Sequence, residues 1–323
     1  MTDTTRKLGY IGLGNMGNAM ARHLLDAGYD LTVFDLNDEV VAGLADRGAR
    51  TARSVAELAA DVDVIFSALP GPPQVRRVAL DADGVIANAR RGSVYVDMTT
   101  NSPEVTREIY AAGKPRGVEV VDAAMSGGHH GAKSKRLTLM VGGDEDVVES
   151  IRSILETMSD NVVHCGDSGA GTVTKVVNNL ASLSESNLVG EALALGVKWG
   201  VKLDTLSKVM SESSSASWRL NESFPRYVLA GNFKPGFALD LAVKDLELAQ
   251  SLTQGVHADF LELSLSKFRE AQGRGWGNQH SEAVVKLLEE RFEVRLRYEN
   301  APAQDIVPDA SGAAESPATD TPS

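Results

Sequence analysis

The chain has 323 residues, of which 43% are hydrophobic and 24% charged, with a single cysteine. That composition belongs to a folded globular protein and excludes a disordered chain, a collagen and a disulfide scaffold. Lys and Arg total 32 against 44 Asp and Glu, a net charge of -12, so the basic footprint of a nucleic-acid binder is missing and an anionic substrate needs a local basic site.

At roughly 100–200 residues per domain, the length predicts two domains. No uncharged apolar run approaches the roughly 18 residues of a spanning helix, and the opening Met1 to Lys7 lacks the apolar stretch of a secretory signal. The expectation is a cytoplasmic protein with neither a membrane nor a nucleic-acid partner. Cys165 has no internal partner for a disulfide, which fits a reducing compartment.

Strand-like runs at 8–11, 31–34, 62–66, 94–96, 118–121, 137–141 and 162–163 alternate with helix-length stretches. This alternation predicts a parallel sheet covered by helices. After Gly169 the texture changes: Val173, Val176, Val177, Leu180 and Leu183 recur at spacings of three and four, and Leu188, Ala192 and Leu195 continue them. One long amphipathic helix is predicted there, followed by helices only. The resulting division is an α/β domain at 1–166, an all-helical domain at 167–298 and a tail at 299–323. The stretch from Ala301 holds four prolines and four acidic residues without Lys or Arg, which predicts a disordered acidic tail.

The first motif, Gly12-Leu13-Gly14-Asn15-Met16-Gly17, lies between a strand-like run and a helical stretch that ends at Gly28. Two of its glycines permit a tight turn and close approach to a pyrophosphate. The third lets helix and strand pack, and the helix N-terminus offers free N–H donors. The second strand-like run ends in Asp35, near the roughly 20-residue distance at which an acid binds a ribose diol. No Arg or Lys follows it in Leu36-Asn37-Asp38-Glu39, so NAD is expected over NADP. Leu69-Pro70 and Thr99-Thr100 would sit at the carboxyl edge of the sheet. They read equally as cofactor-facing loops or as a rigid turn and a helix cap.

At Ser126-Gly127-Gly128 a strand runs into a turn whose successive N–H groups suit a carboxylate. The basic stretch His129 to Arg136 reads as a solvated loop or a second contact for an anion. Its adjacent histidines lack ligand spacing, so no metal site is expected. Lys175 and Asn179 stand four apart on the long helix and share a face. A Lys drawn against the apolar stripe would have its pKa lowered toward the range useful for proton transfer, while a surface Lys snorkelling beside the core is the competing reading. Lys244-Asp245 opens a further helix and alone says little.

In this order, the segments resemble the β-hydroxyacid dehydrogenase family, which includes 3-hydroxyisobutyrate dehydrogenase, tartronate semialdehyde reductase and the glyoxylate/succinic semialdehyde reductases. The resemblance spans about Leu8 to Leu288. Its GxGxMG pattern is met at Gly12–Gly17, its GxGxxxKxxNN pattern at Gly169–Asn179 and its KDxxLA pattern at Lys244–Ala249. Its DxPxSGG pattern is met at Asp122–Gly128 with Ala124 in place of proline and Met125 in place of a small aliphatic. Further departures are Lys135, where the family commonly has Gly, and His280-Ser281-Glu282-Ala283, where it has Asp-x-Ser-Ala.

The resemblance implies an α/β Rossmann domain, a doubly wound parallel sheet, followed by an all-α second domain, with NAD and a small carboxylate substrate in the cleft. It implies hydride transfer between NAD and the hydroxyl carbon of a small 3-hydroxy acid. Lys175 would be the general acid/base. Ser126, Gly127 and Gly128 would hold the substrate carboxylate, Asn179 would orient Lys175 or the substrate hydroxyl, and Thr100 and Lys244 would lie near the cofactor. A homodimer or homotetramer is also implied. The alternatives are an NADPH-dependent semialdehyde or glyoxylate reductase of the same family and a non-catalytic dehydrogenase-like scaffold. Val176-Val177-Asn178-Asn179 argues against a 6-phosphogluconate dehydrogenase-like decarboxylase, and Lys175 argues against an imine reductase.

Overall fold

The computed structural model describes residues 5–298, and the expected acidic tail lies outside them. The first part of the chain runs β1 (Leu8–Ile11), α1 (Asn15–Asp26), β2 (Leu31–Phe34), α2 (Asp38–Ala45), β3 (Arg50–Thr51), α3 (Val55–Asp61), β4 (Val64–Ser67), α4 (Pro72–Leu80), α5 (Val85–Asn88) and β5 (Val94–Asp97). It continues through α6 (Pro103–Gly113), β6 (Glu119–Ser126), α7 (Gly128–Lys133), β7 (Thr138–Gly142), α8 (Glu145–Met158) and β8 (Asn161–Gly166). The helical part comprises α9 (Ala170–Lys198), α10 (Leu203–Ser211), a π-helical turn at Arg219–Ser223, α11 (Phe224–Arg226), α12 (Leu239–Leu252), α13 (Asp259–Ala271) and α14 (Lys286–Phe292). None of the described helices is long and apolar enough to cross a membrane.

All eight strands join one sheet in the order β3-β2-β1-β4-β5-β6-β7-β8. Alternate side chains fill two cores. Leu8, Tyr10, Phe66, Val96 and Val121 pack under α1 and α8, while Ile11, Ile65, Tyr95 and Val120 face α3, α4 and α6. A sheet covered on both faces needs apolar residues at successive positions, which is why these strands read as continuous runs. The order reverses beside β1, and the crevice between β1 and β4 at the carboxyl edge is where such a sheet receives a ligand.

Three features differ from the expectation. β7 runs antiparallel to β6, with Asp122 opposite Gly142 and Ser126 opposite Thr138. The connection over residues 127–137 is too short for a parallel crossover, which needs a dozen or more residues. That connection is also not a plain solvated loop: Gly128–Lys133 form α7, whose Gly131 and Ala132 are buried. Finally, β3 is a two-residue exposed edge strand without an apolar pattern to announce it.

The 29-residue α9 spans about 44 Å and forms the spine of the helical part. Its buried face is partly polar, carrying Lys175, Asn179 and Ser186 among Val176, Leu183 and Leu193. Three members of the apolar stripe, Val177, Leu188 and Leu195, stay exposed.

The start of α9 is fixed by Asp122 on β6. Its Oδ1 accepts from the Gly169 N–H at 2.7 Å, and its Oδ2 accepts from the Thr172 N–H at 2.6 Å and the Thr172 hydroxyl at 2.9 Å. A carboxylate supplied from a strand thus caps a helix whose own N-cap residue, Gly169, has no side chain to do so. Gly171 permits the contact, because a Cβ there would press on the Met140 carbonyl. Asp122→Ala leaves two buried N–H groups unpaired and is expected to lower stability by about 2–4 kcal/mol, read from urea unfolding. A loss below about 0.5 kcal/mol, the scatter of neutral surface changes, would show that the cap does not hold α9.

Candidate active site

The glycine motif wraps the start of α1. Gly14 is its N-cap and supplies no side-chain cap, and the N–H groups of Gly14, Asn15, Met16 and Gly17 have no acceptor among the described residues. Gly12 turns at φ 86°, where a Cβ would press on the Ala68 carbonyl, whereas the space beside Gly14 is open for 4 Å. Free donors, a helix N-terminus and an open cradle fit a pyrophosphate. Asp35 lies beside this loop, where Oδ2 accepts from the Leu13 N–H at 2.6 Å and Oδ1 from the Asn37 N–H at 2.8 Å. Its carboxylate faces the same cleft as the motif.

The two loops left open in the sequence come together through Lys244 on α12. Its Nζ donates to the carbonyls of Pro70 at 3.2 Å and Thr100 at 3.1 Å and stands 3.1 Å from Asp245 Oδ1. Leu69 is tied in as well, its N–H donating to Thr99 Oγ1 at 3.0 Å. Lys244 therefore joins the helical part to the carboxyl edges of β4 and β5.

Beyond β6, Gly127 and Gly128 turn at φ 128° and 63°, and their N–H groups have no acceptor among the described residues. The Ser126 hydroxyl accepts from Asn178 Nδ2 at 3.4 Å. His129 on α7 brings Nδ1 to 3.2 Å from the Asn15 carbonyl, so this second cradle adjoins the glycine motif.

Lys175 projects from α9 into the same cleft, 8% exposed and with no hydrogen-bond partner among the described residues. Burial pushes its pKa down to about 8. Asp245 opposes the shift, and the charges of Lys244 and Arg219 reinforce it. Asn179 does not bond to Lys175: its Nδ2 donates to Asp245 Oδ2 at 2.6 Å. Asp245 is thus the residue that sequence reasoning passed over, since its signal, an acid next to Lys244, gives no hint that it reaches back to α9.

Residues 7–166 match the family described as the NAD binding domain of 6-phosphogluconate dehydrogenase. Residues 169–288 match the family described as NAD-binding of NADP-dependent 3-hydroxyisobutyrate dehydrogenase. The chain is 36% identical over 292 residues to 2-(hydroxymethyl)glutarate dehydrogenase of Eubacterium barkeri, covering 90% of this chain and 97% of that protein. It is 37% identical over 294 residues to NAD-dependent L-serine dehydrogenase of Pseudomonas aeruginosa, covering 88% and 98%. The structure of Mycobacterium tuberculosis 3-hydroxyisobutyrate dehydrogenase with L-serine matches with TM-score 0.81 at 31% identity, covering 88% of this chain and 99% of that one. The chain belongs to the 3-hydroxyisobutyrate dehydrogenase family of NAD-binding β-hydroxyacid dehydrogenases.

The charges around Lys175 make its titration adjustable in both directions. Asp245→Asn removes the influence that raises its pKa and is expected to lower it further, whereas Lys244→Met removes a repelling cation and is expected to raise it. The pH dependence of Lys175 acetylation, followed by mass spectrometry with exposed Lys198 as the internal standard, reads both shifts. Shifts of the same sign in the two variants would contradict this account.

Proposed function

We propose that the protein is an NAD-dependent 3-hydroxyacid dehydrogenase that oxidises the hydroxyl carbon of a small carboxylate substrate. The observation that carries this reading is a buried, unpaired Lys175, lowered to about 8, in one cleft with two cradles of free backbone N–H groups. Gly12, Leu13, Gly14, Asn15, Met16 and Gly17 hold the pyrophosphate, and Asp35 takes the ribose diol. Leu69, Pro70, Thr100 and Lys244 form the cofactor wall farther along the cleft. The nicotinamide supplies the hydride acceptor.

Ser126, Gly127 and Gly128 bind the substrate carboxylate, which places the hydroxyl toward Lys175. The neutral amine of Lys175 takes the hydroxyl proton as the carbon is oxidised, and in reduction its ammonium returns that proton to the new alkoxide. Asn179, fixed by Asp245, faces the cleft one turn beyond Lys175 and orients the hydroxyl. The low exposure of Lys175 keeps water from competing for the proton.

The named relatives act on 2-(hydroxymethyl)glutarate, L-serine and 3-hydroxyisobutyrate, which share a hydroxymethyl group one carbon away from a carboxylate. That unit is the substrate core assigned to this chain. A homodimer or homotetramer is part of the same reading, and it gives exposed Leu188, Trp199 and Phe260 a partner; sedimentation velocity checks the mass.

Lys175→Ala is expected to reduce turnover of 3-hydroxyisobutyrate by about 10²–10⁴-fold while NAD still binds, measured by NADH formation and by calorimetry. Retention of most of the activity would sink the assignment. Because the amine must be neutral to accept a proton, kcat/KM for oxidation is expected to climb with pH and level off above about 8, with reduction falling over the same range. NADP is expected to be used less well than NAD, and Asp35→Ala to narrow the gap.

A further inference from the structure

The cleft that holds Ser126–Gly128 and Lys175 is also lined by a charged group that the proposed chemistry does not use. Arg219 begins the π-helical turn Arg219–Ser223, is 7% exposed and lines the same cleft as Lys175. Single π-helical turns displace side chains from the regular helical register and occur frequently where a site is built. Three neighbours fix the guanidinium. Nε donates to the Ser182 carbonyl at 3.0 Å and the Ser182 hydroxyl at 2.8 Å, and Nη1 donates to Glu282 Oε1 at 2.8 Å and Ser223 Oγ at 3.5 Å. Nη2 has no acceptor among the described residues and is not sealed from solvent.

The pair is also oriented. Glu282 is 0% exposed and lies inward, its Oε1 also accepting from the Ser223 hydroxyl at 2.6 Å, so the positive end faces the cleft. Stability gives no reason to keep it, because a buried ion pair is commonly matched or bettered by apolar side chains of the same volume. Trp218 covers the guanidinium from one side at 5.6 Å and limits its freedom. A cation held by four bonds, with one donor group unspent, is already organised for a ligand oxygen.

We propose that Arg219 binds a second carboxylate on the substrate, making this enzyme selective for 3-hydroxy diacids over the corresponding monoacids. The inference rests on the dehydrogenase reading and extends it. One carboxylate occupies the backbone cradle at Ser126–Gly128, the hydroxymethyl group faces Lys175, and the substituent on the intervening carbon extends to the Arg219 wall. Arg219 is a specificity residue that carries no proton itself, and its charge acts on Lys175 only through space.

The test compares NADH formation from 2-(hydroxymethyl)succinate and 2-(hydroxymethyl)glutarate with that from 2-(hydroxymethyl)butanoate, in the wild type, in Arg219→Lys and in the double variant Arg219→Met with Glu282→Met. The double variant is included because Arg219→Met alone would strand the Glu282 carboxylate. The wild type is expected to favour at least one diacid in kcat/KM, and the double variant to lose roughly 10- to 100-fold more on that diacid than on the monoacid, mainly through KM. Arg219→Lys is expected to recover part of the preference. Equal use of diacid and monoacid by the wild type, or equal losses on both in the double variant, overturns the role of Arg219 and leaves the dehydrogenase reading standing. Failure to oxidise any of these acids or 3-hydroxyisobutyrate overturns that reading and the inference with it.

Discussion

The geometry of the cleft depends on one buried carboxylate. Asp122 sits 1% exposed at the point where β6 passes the first turn of α9 and spends both oxygens on that turn. A strand and a helix from different parts of the chain are thereby locked in translation and rotation at the root of the cleft. Everything α9 presents to the cleft inherits that setting: Lys175 one turn in, Asn178 and Asn179 a turn later, and Ser182, which holds Arg219, after that. The end of β6 carries Ser126, so the same strand fixes both the Ser126–Gly128 turn and the start of α9. The burial that raises the Asp122 pKa is opposed by the donors that surround it, as a capping carboxylate requires.

The second constraint is electrostatic. A Lys this deeply buried has a strong tendency to lose its proton, and burial is the largest influence on Lys175. Lys244 and Arg219 push the same way and Asp245 pushes back, and each has a partner other than Lys175. Lys244 is engaged by the carbonyls of Pro70 and Thr100, Asp245 by Asn179 and Arg219 by Glu282. These groups act on Lys175 through space without bonding to it. A direct ion pair would have held the proton on Lys175 and raised its pKa. Keeping the amine free of partners while surrounding it with committed charges leaves its pKa lowered to about 8.

How much of this the sequence discloses follows from where each signal lies. The glycine motif, the change to helical periodicity after Gly169 and the Lys175–Asn179 spacing are local, so they can be read along the chain. Contacts that cross it cannot. Nothing near Asp122 announces that it caps a helix 47 residues later, and nothing near Asp245 shows that it receives Asn179. The run at 137–141 is legible as a strand but its antiparallel direction is not, because an apolar run carries no direction, and a six-residue helix starting at Gly128 has too few positions to show a period. The exposed Val177, Leu188 and Leu195 show the converse: periodicity marks an apolar stripe, while the fold decides which part of it is covered within one chain.

Reaction and selectivity occupy different kinds of structure in this cleft. The cradles at Gly12–Gly17 and at Ser126–Gly128 are made largely of backbone donors, which recognise an anion by geometry and tolerate change in the residues around them. In the proposed reaction, proton transfer rests on one buried side chain, Lys175. Neither element distinguishes one small hydroxy acid from another, since every candidate carries the same carboxylate and hydroxyl. In the proposed reading, discrimination is left to the wall that meets the rest of the substrate, to which the π-helical turn and His280 contribute. A polar group lodged there rejects a ligand that fails to match it more strongly than an apolar surface rejects a missing methylene, because an unmatched donor loses its water without gaining a partner. Under the proposed selectivity, a fixed guanidinium in that wall, with its counter-charge turned inward, would meet the rest of the substrate while acting on Lys175 only through space.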